Sequence, residues 1–332
     1  MGPLPWQPWS VPTPSEPGPD LLARVGDECA AAAQRARHVR IDPEALADYT
    51  DRLELGAEAV PVFDAEHHYR GDPSSTVLAV LCLDAVNFGS GWFPRFRKRP
   101  GRSGYLTVAE SLRDWFVQNP PTAAELAGVE VDRVGAIFGQ SGNPQVADLM
   151  QLFGTALNQL GSLLVSDFSG DPELLVRAAD GQAGRLVQVL VQMPMFDDVA
   201  TVDGRRVSFF KRAQLTAVDL ALALPDHELG HFDDLDRLTI FADNLVPHVL
   251  HTDGVLEYDA ELTEQIASGQ LLPAGSRAEV ELRAVAIHAC ELMVDRLGGR
   301  ATAADLDYLL WNRGADQRYR DRPRHRTETW FY

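Results

Sequence analysis

Apolar positions in this chain recur mostly every three or four residues, the spacing of one helical face, and few segments alternate with the period of a strand. The clearest example is SRAEVELRAVAIHACELMVDRLGG, whose closing glycines are a typical helix stop signal. Residues 60–75 are predicted to be irregular, with a short hairpin. Helices are predicted from residue 20 and at 107–118, 123–138, 144–166, 172–192, 209–224, 236–251, 259–268, 276–297 and 302–312. The apolar run at 75–94 fits a buried helix or a strand, and the helical surroundings favour a helix. The fold class is therefore mainly α, with minor β.

The predicted domain organisation is simple. Residues 1–19 are rich in proline, cannot form a regular helix, and are predicted to be an N-terminal arm. With 332 residues and 45% hydrophobic content, the chain can bury a large core. We therefore expect residues 20–332 to form a single large helical domain, or two closely packed helical lobes.

Two ionisable side chains interrupt the apolar helical faces. On the helix predicted at 209–224, Lys211 shares its face with Leu215, Val218 and Leu222. On the helix predicted at 236–251, Asp243 shares its face with Ile240, Val246 and Leu250, and a second apolar face lies beside it. A helix that is apolar on two sides is buried, so Asp243 is expected to be buried. A buried carboxylate needs a cation, hydrogen-bond donors or a polar cavity, and such a cavity is a candidate site.

Each of these residues also has a purely structural interpretation. Asp243 or Asn244 can cap a short helix whose first turn contains Pro247, a residue without an N–H donor. Lys211 can reach the surface along its methylene stem. The pattern alone leaves both interpretations open.

Composition narrows the class of protein. The formal net charge of −18 argues against a nucleic-acid polymer as partner, because phosphates are repelled by an acidic surface. Two basic clusters, at 95–102 and 318–326, leave room for a small anionic ligand. No apolar run has the length of a membrane span and no signal-peptide pattern is present, so we expect a cytoplasmic protein. The three cysteines are isolated, and no phosphate loop or GxSxG elbow occurs.

The conventional motif in the chain is HELGH at 227–231, which matches the zinc-hydrolase pattern of two histidines one helical turn apart with a glutamate between them. The motif requires a firm helix, but Pro225 precedes it and Gly230 interrupts it. We expect a helix end and a loop here instead. His288 lies on a helical face with three acidic residues, where a solvated face is the expected arrangement: Glu281, Glu291 and Asp295.

Several phrases occur together in one order: HVRID at 38–42, LDAVNFGSGWFP at 83–94, FFKRAQLTAVDL at 209–220, LTIFADNLVPHVL at 238–250, EVELRAVAIHACEL at 279–292, then LDYLLWN and the terminal RHRTETWFY. Together they resemble the queuosine salvage proteins, the queuosine 5′-phosphate N-glycosidases. The resemblance extends over nearly the whole chain from about residue 20. It implies a mostly helical fold similar to the helix-hairpin-helix DNA glycosylases, and hydrolysis of queuosine 5′-monophosphate to release queuine for reuse in tRNA.

The resemblance also implies roles for individual residues. Asp243 falls on the family's catalytic aspartate and Lys211 on its active-site lysine. The LDAVNF phrase corresponds to a base-recognition segment, which places Asp84, Asn87 and Phe88 near the deazaguanine; the alternative is that the polar pair caps a helix and Phe88 belongs to the core. The further substrate-binding residues expected from the matching phrases are Trp92, Phe241, Asn244, His248, Asp307, Trp311 and His325. An asparagine, Asn312, stands where relatives carry an acidic residue, so a role for it is in doubt.

The implied chemistry needs neither a metal nor an organic cofactor. Positive charge grows on the sugar as the ribosyl bond breaks, and an ionised Asp243 in a low-dielectric site stabilises that charge. Lys211 can pair with the 5′-phosphate or keep Asp243 charged. Two other classes of protein remain as alternatives: a zinc hydrolase that uses HELGH, and a non-catalytic binding protein for modified nucleosides.

Overall fold

The computed structural model describes residues 20–56 and 60–332, so the arm predicted at 1–19 lies outside the described residues. The mainly α prediction is confirmed. The helices are α1 Leu21–Ala33, α2 Pro43–Asp51, α3 Pro73–Ala85, α4 Gly104–Gln118, α5 Ala123–Ala127, α6 Val131–Ile137, α7 Ala147–Asp167, α8 Pro172–Arg177, α9 Ala183–Leu190, α10 Lys211–Ala223, α11 Val246–Thr252, α12 Ala260–Ala267, α13 Arg277–Leu297, α14 Ala303–Arg313 and α15 Gln317–Arg320.

Four short strands form two antiparallel pairs. β1 Val39–Ile41 pairs with β4 Leu256–Tyr258, and β2 Val199–Val202 pairs with β3 Arg205–Ser208. The second pair is a tight hairpin whose two turn residues, Asp203 and Gly204, have φ of 51° and 69°. Asp-Gly is the strongest short-range hairpin signal, yet our hairpin prediction fell on 60–75, which contains no strand: 60–72 is irregular and 73–75 begins α3.

Four predicted helices are wrong in their extent, and one of them, over 75–94, ends at Ala85 as α3. The one at 123–138 is divided at Gly128 into α5 and α6, and the one at 172–192 is divided around Asp180 and Gly181, whose φ values are 50° and 68°. The helix predicted at 236–251 exists only as α11. A proline at the second helical position clashes with a helical carbonyl four residues earlier, so the helix cannot extend back from Pro247 through residue 243.

Long-range side-chain bonds hold the non-helical segment before α11 in an extended form. Gln214 accepts a hydrogen bond from the Thr239 backbone N–H (2.9 Å), and Asp307 accepts one from the Phe241 N–H (2.9 Å). These side chains come from α10 and α14 and satisfy backbone groups that a helix would otherwise pair internally. The segment is therefore buried without being helical.

The core surrounds α13, which is buried on nearly all sides; its Leu282, Ala286 and Cys290 have no exposed surface. α13 packs against α1, α11 and α14, and α10 packs against α3 and α9. These contacts bring α10, α11 and α14 together around one polar region. Within the described residues, no helix combines the length and the apolar character needed to cross a membrane. The prediction of one domain over 20–332 stays a prediction.

Candidate active site

A buried ion pair lies at the centre of this polar region. The Lys211 ammonium donates a hydrogen bond to Asp243 Oδ2 at 3.3 Å. The side chain of Lys211 is 8% exposed and that of Asp243 is 19% exposed. The lysine therefore does not extend to the surface, and the two residues that the sequence marked as candidates are direct partners.

Local backbone geometry places Lys211 at the first position of α10. Phe210, just before it, has φ of 48°, a left-handed conformation that a bulky side chain rarely adopts, and the cost is about 1–3 kcal/mol. A lysine at a helix N-terminus is also opposed by the helix dipole. Both features disfavour stability, so the position of Lys211 is better explained by function than by folding.

Asp243 lies in a bend two residues before α11. Its Oδ1 accepts a hydrogen bond from the Leu245 N–H at 2.7 Å, so the capping interpretation describes part of its environment. Burial raises the pKa of Asp243, but the Lys211 charge, the Leu245 N–H and the Arg324 charge outweigh burial and hold the pKa below its usual range. The carboxylate is therefore ionised near neutral pH.

A second buried ion pair supports the chain on both sides of the first. Arg283 of α13 donates to both carboxylate oxygens of Asp198, at 3.0 and 2.5 Å, and to the carbonyl of Ala242 at 3.0 Å. The Asp198 carbonyl in turn accepts the Phe209 N–H at 2.9 Å. One guanidinium thus fixes the residue before Asp243 and, through Asp198, the segment that leads into α10.

A further carboxyl group lies beside the first ion pair. Asp307 of α14 is buried, and burial together with the nearby Asp243 charge raises its pKa to about 7. Its hydrogen bond from the Phe241 N–H and the charge of Lys211 act in the opposite direction. Asp307 thus fixes the extended segment just before Asp243, and Phe241 itself is buried there.

The predicted base-recognition segment lies at the end of α3. Asp84 has no exposed surface, and neither of its carboxylate oxygens has a hydrogen-bond partner of normal geometry among the described residues. Burial, and then the charge of Asp219 on α10, raise its pKa well above the usual range, and polar contacts with Thr216 and Asn87 oppose the increase. An unpaired buried carboxyl is costly, so Asp84 is the clearest candidate for a ligand contact.

Three predicted aromatic residues differ in their environment. Phe88 is buried and packs edge-on against Phe153, with centroids 5.0 Å apart, as the alternative core interpretation describes. Trp92 is buried and donates to Asp148 at 2.9 Å. Trp311 is 40% exposed and meets Tyr105 edge-on at 6.0 Å. Only Trp311 therefore has a ring surface free for a ligand.

The remaining predicted substrate-binding residues, His248, Asn244 and His325, contact the C-terminal segment or belong to it. His248 is bonded through Nε2 to the Tyr319 carbonyl at 2.8 Å, and Asn244 donates to the His325 carbonyl at 3.4 Å. His325 is buried, and desolvation lowers its pKa to about 3. These contacts join the C-terminal segment to the Asp243 bend, so the terminal phrase of the sequence contributes to the site.

Sequence reasoning missed four residues of this region: Tyr105, Asp219, Arg283 and Arg324. Asp219 and Arg283 interrupt apolar helical patterns, so the signal that marked Lys211 was present for both. Tyr105 carried no such signal, and Arg324 was marked only as one member of a basic cluster with room for a small anionic ligand. Arg324 lies in the basic cluster at 318–326, and its charge acts on Asp243.

HELGH does not adopt the α-helix that the zinc-hydrolase motif requires. Its centre is a short 3-10 turn, Glu228–Gly230, and not an α-helix. His231 bonds to Asp233 at 3.0 Å, while Glu228 pairs with Arg177 at 2.5 Å. The loop expectation is therefore confirmed, and the described part of the chain contains no group of three His, Cys, Asp or Glu side chains arranged as ligands.

A solvated surface was expected around His288, and one residue of that face, Glu281, does not fit this expectation. Glu281 is buried and accepts the backbone N–H groups of Arg37 and His38, at 2.8 and 2.7 Å. Its carboxylate thus ties the segment after α1 to α13.

Fold and site together define a mainly helical protein with a buried cluster of acid and base groups, assembled from α3, α10, α14 and the bend before α11. The chain belongs to the queuosine salvage protein family, whose model matches residues 67–332.

Three proteins of similar sequence share the same functional description. A protein of Sphaerobacter thermophilus is 36% identical over 90% of this chain and 94% of its own length. Another, from Dictyostelium discoideum, is 30% identical over 94% of this chain and 99% of its own, and one from Mus musculus is 29% identical over 95% and 100%. Each is described as a queuosine 5′-phosphate N-glycosylase/hydrolase.

Proposed function

We propose that this protein hydrolyses the N-glycosidic bond of queuosine 5′-monophosphate and releases queuine. The observation that carries the proposal is the carboxylate of Asp243, which is ionised, nearly enclosed and fixed by a bond to Lys211. The family and the description of its relatives support the same substrate.

The role that we propose for Asp243 rests on its negative charge. As the bond between C1′ and the base nitrogen breaks, its electron pair leaves with the base and positive charge grows on the ribose. An ionised carboxylate in a low-dielectric site stabilises that charge without reorganising. Asp243 then accepts the proton of the attacking water, whose oxygen forms the new bond to C1′.

The leaving base has special requirements. Queuine is a 7-deazapurine and lacks the ring nitrogen that purine glycosidases protonate, so departure depends on hydrogen bonds elsewhere on the base. Asp84 and Asn87 supply an acceptor and a donor for its amine and carbonyl edge. Trp311 offers the exposed ring face, while Phe88 and Trp92 support the segment from within the core.

The charge of the Lys211 ammonium is already paired with Asp243, so we assign the 5′-phosphate to another cation. Arg324 makes no hydrogen bond or ion pair with any described residue, is exposed, and lies close enough for its charge to act on Asp243. In the other basic cluster, Arg95 and Arg99 are engaged with Glu328 and Asp114. Arg324 is therefore the group we assign to the phosphate.

Three broader expectations belong to this proposal. The helical scaffold is of the helix-hairpin-helix glycosylase kind, as the family resemblance implies. The partner is a small nucleotide and not a nucleic-acid polymer, in keeping with the net charge of −18. The protein acts in the cytoplasm without an added cofactor.

The test is the substitution Asp243→Asn, followed by mass detection of free queuine from queuosine 5′-monophosphate after treatment with a chelator. We expect turnover to fall by at least about a thousandfold, because an amide carries no charge and accepts no proton. Asp42→Asn is the matched control, since Asp42 also accepts backbone N–H groups just before a proline-containing helix. Release by the Asp243 variant at the wild-type rate contradicts the proposal; binding without release by wild type favours a binding protein.

A further inference from the structure

A pair of buried carboxyl groups lies beside the proposed reaction centre. Asp84 ends α3 and Asp219 is half-buried on α10, and these two helices pack directly against each other. Burial raises the pKa of Asp219 to about 7, and Asp219 raises the pKa of Asp84 further. Because both pKa values are raised, the pair still holds a proton near neutral pH.

No cation of the described chain is committed to this pair. Arg212 lies nearby but donates to backbone carbonyls, those of Asp84 (2.9 Å) and Ala85 (2.6 Å), and to the Met195 carbonyl. Lys211 is bonded to Asp243. Tyr105 packs close to both aspartates, but its hydroxyl is bonded to His68 at 2.8 Å. The two oxygens of Asp84 therefore remain without partners of normal geometry.

Recognition of an uncharged nucleobase requires only one carboxyl group, and this pair contains two. The donor edge of a guanine-like base is satisfied by a single carboxylate together with an amide such as that of Asn87. A second carboxylate in a desolvated site needs a proton or a positive charge from the ligand. The 7-deazaguanine of queuosine carries such a charge, because its side arm contains a secondary amine that is protonated at neutral pH.

We propose that Asp219, paired with Asp84, binds the ammonium of a cationic arm on the base and so selects nucleotides that carry this arm. The inference rests on the proposed function for the identity of the nucleotide. Binding of the ammonium displaces the proton that the pair shares, and both carboxylates then serve as acceptors. Charge-assisted hydrogen bonds of this kind are about twice as strong as neutral ones.

The experiment compares the affinities of two nucleotides by calorimetry. One is 7-aminomethyl-7-deazaguanosine 5′-monophosphate, whose arm is cationic, and the other is the 7-cyano analogue, whose arm is neutral. Affinities are measured in the Asp243→Asn background, so neither ligand is consumed and the outcome does not depend on whether the wild-type protein cleaves. Asp219→Asn and Asp219→Glu are added to this background, with the exposed Asp226→Asn as the matched control.

We expect Asp219→Asn to weaken binding of the cationic nucleotide by about tenfold to a hundredfold and that of the neutral one by less than about threefold. Asp219→Glu is expected to keep the preference for the cationic arm. Calorimetry in two buffers of different ionisation enthalpy should detect proton release with the cationic nucleotide near pH ~7 and none after Asp219→Asn. Equal loss for both nucleotides, or an unchanged preference in Asp219→Asn, overturns the proposal. Absence of queuine release by wild type refutes the proposed function alone.

Discussion

Arg283 provides the sharpest test of how the site is held together. Its side chain is 2% exposed, and its guanidinium donates to both oxygens of Asp198 and to the Ala242 carbonyl. It also stacks 3.8 Å from the Phe209 ring centroid. The substitution Arg283→Met keeps much of the side-chain volume and removes every one of these polar contacts.

The expected loss follows from burial. Removal of one partner from a buried ion pair leaves an uncompensated charge, here Asp198, and costs about 3–5 kcal/mol of unfolding free energy. Arg296 lies on the same helix and also makes a two-point contact with an aspartate, Asp51, at 2.8 and 2.7 Å. That pair is 45% and 57% exposed, so solvent screens it and Arg296→Met should change the stability little. The two variants make the same chemical change and differ in burial.

Urea denaturation of the two variants and wild type measures the difference. We expect Arg283→Met to be at least about 2 kcal/mol less stable than Arg296→Met, with similar m-values. At temperatures where it is folded, Arg283→Met should also show a lower kcat, because Ala242 and the segment before Lys211 lose a shared anchor. Equal costs for the two variants would refute the reasoning that burial decides the energy of these pairs.

Three other perturbations address the charges around the site. Lys211→Met removes the charge that lowers the pKa of Asp243 against the effect of burial, so this pKa should rise. In a profile of kcat from about pH 4 to about pH 8, the acidic limb should therefore move to higher pH. Arg324→Ala should raise KM for the 5′-monophosphate by about tenfold or more and leave KM for the nucleoside nearly unchanged, as steady-state kinetics with both substrates will show. Desolvation lowers the pKa of His325 in the folded chain to about 3, whereas in the unfolded chain it is about 6.5. Below about pH 6.5, His325 is therefore protonated in the unfolded chain and neutral in the folded chain. Stability should therefore decline between about pH 6.5 and about pH 3, and thermal melts of His325→Leu should show a slope shallower by up to ~1.4 kcal/mol per pH unit.

The sequence predicted the burial of the central pair better than its backbone geometry. Polar residues within apolar patterns marked Lys211 and Asp243, each on its own predicted helix, as buried, and the structure shows that the two are direct partners. The helix assumed around Asp243 was wrong, because Gln214 and Asp307, distant in sequence, satisfy the backbone of the extended segment. Such long-range side-chain bonds leave no periodic signal.

Other differences arose from local signals that were present but given too little weight. Asp203 and Gly204 form the two-residue turn that their sequence favours, and Asp219 interrupts its helix as Lys211 does. Phe210 shows the opposite case. Its left-handed backbone follows from the hairpin before it and the helix after it, and no property of phenylalanine predicts that conformation.

The position of Asp243 in a bend has a mechanistic consequence. In a helix, its neighbours would be fixed by bonds within that helix, and the carboxylate would move with the helix as a unit. In the bend, Asp307 of α14 holds Phe241, Arg283 of α13 holds Ala242, and the carboxylate accepts the Leu245 N–H, so two helices and the backbone of the bend itself fix its position. Under the proposed mechanism, this carboxylate faces a developing cation and must not reorganise, so it needs rigid support. A mobile carboxylate would turn towards solvent or towards Lys211 instead. The buried polar bonds around Asp243 thus serve orientation as much as stability, which is why a change at Arg283 should lower kcat as well as the free energy of unfolding.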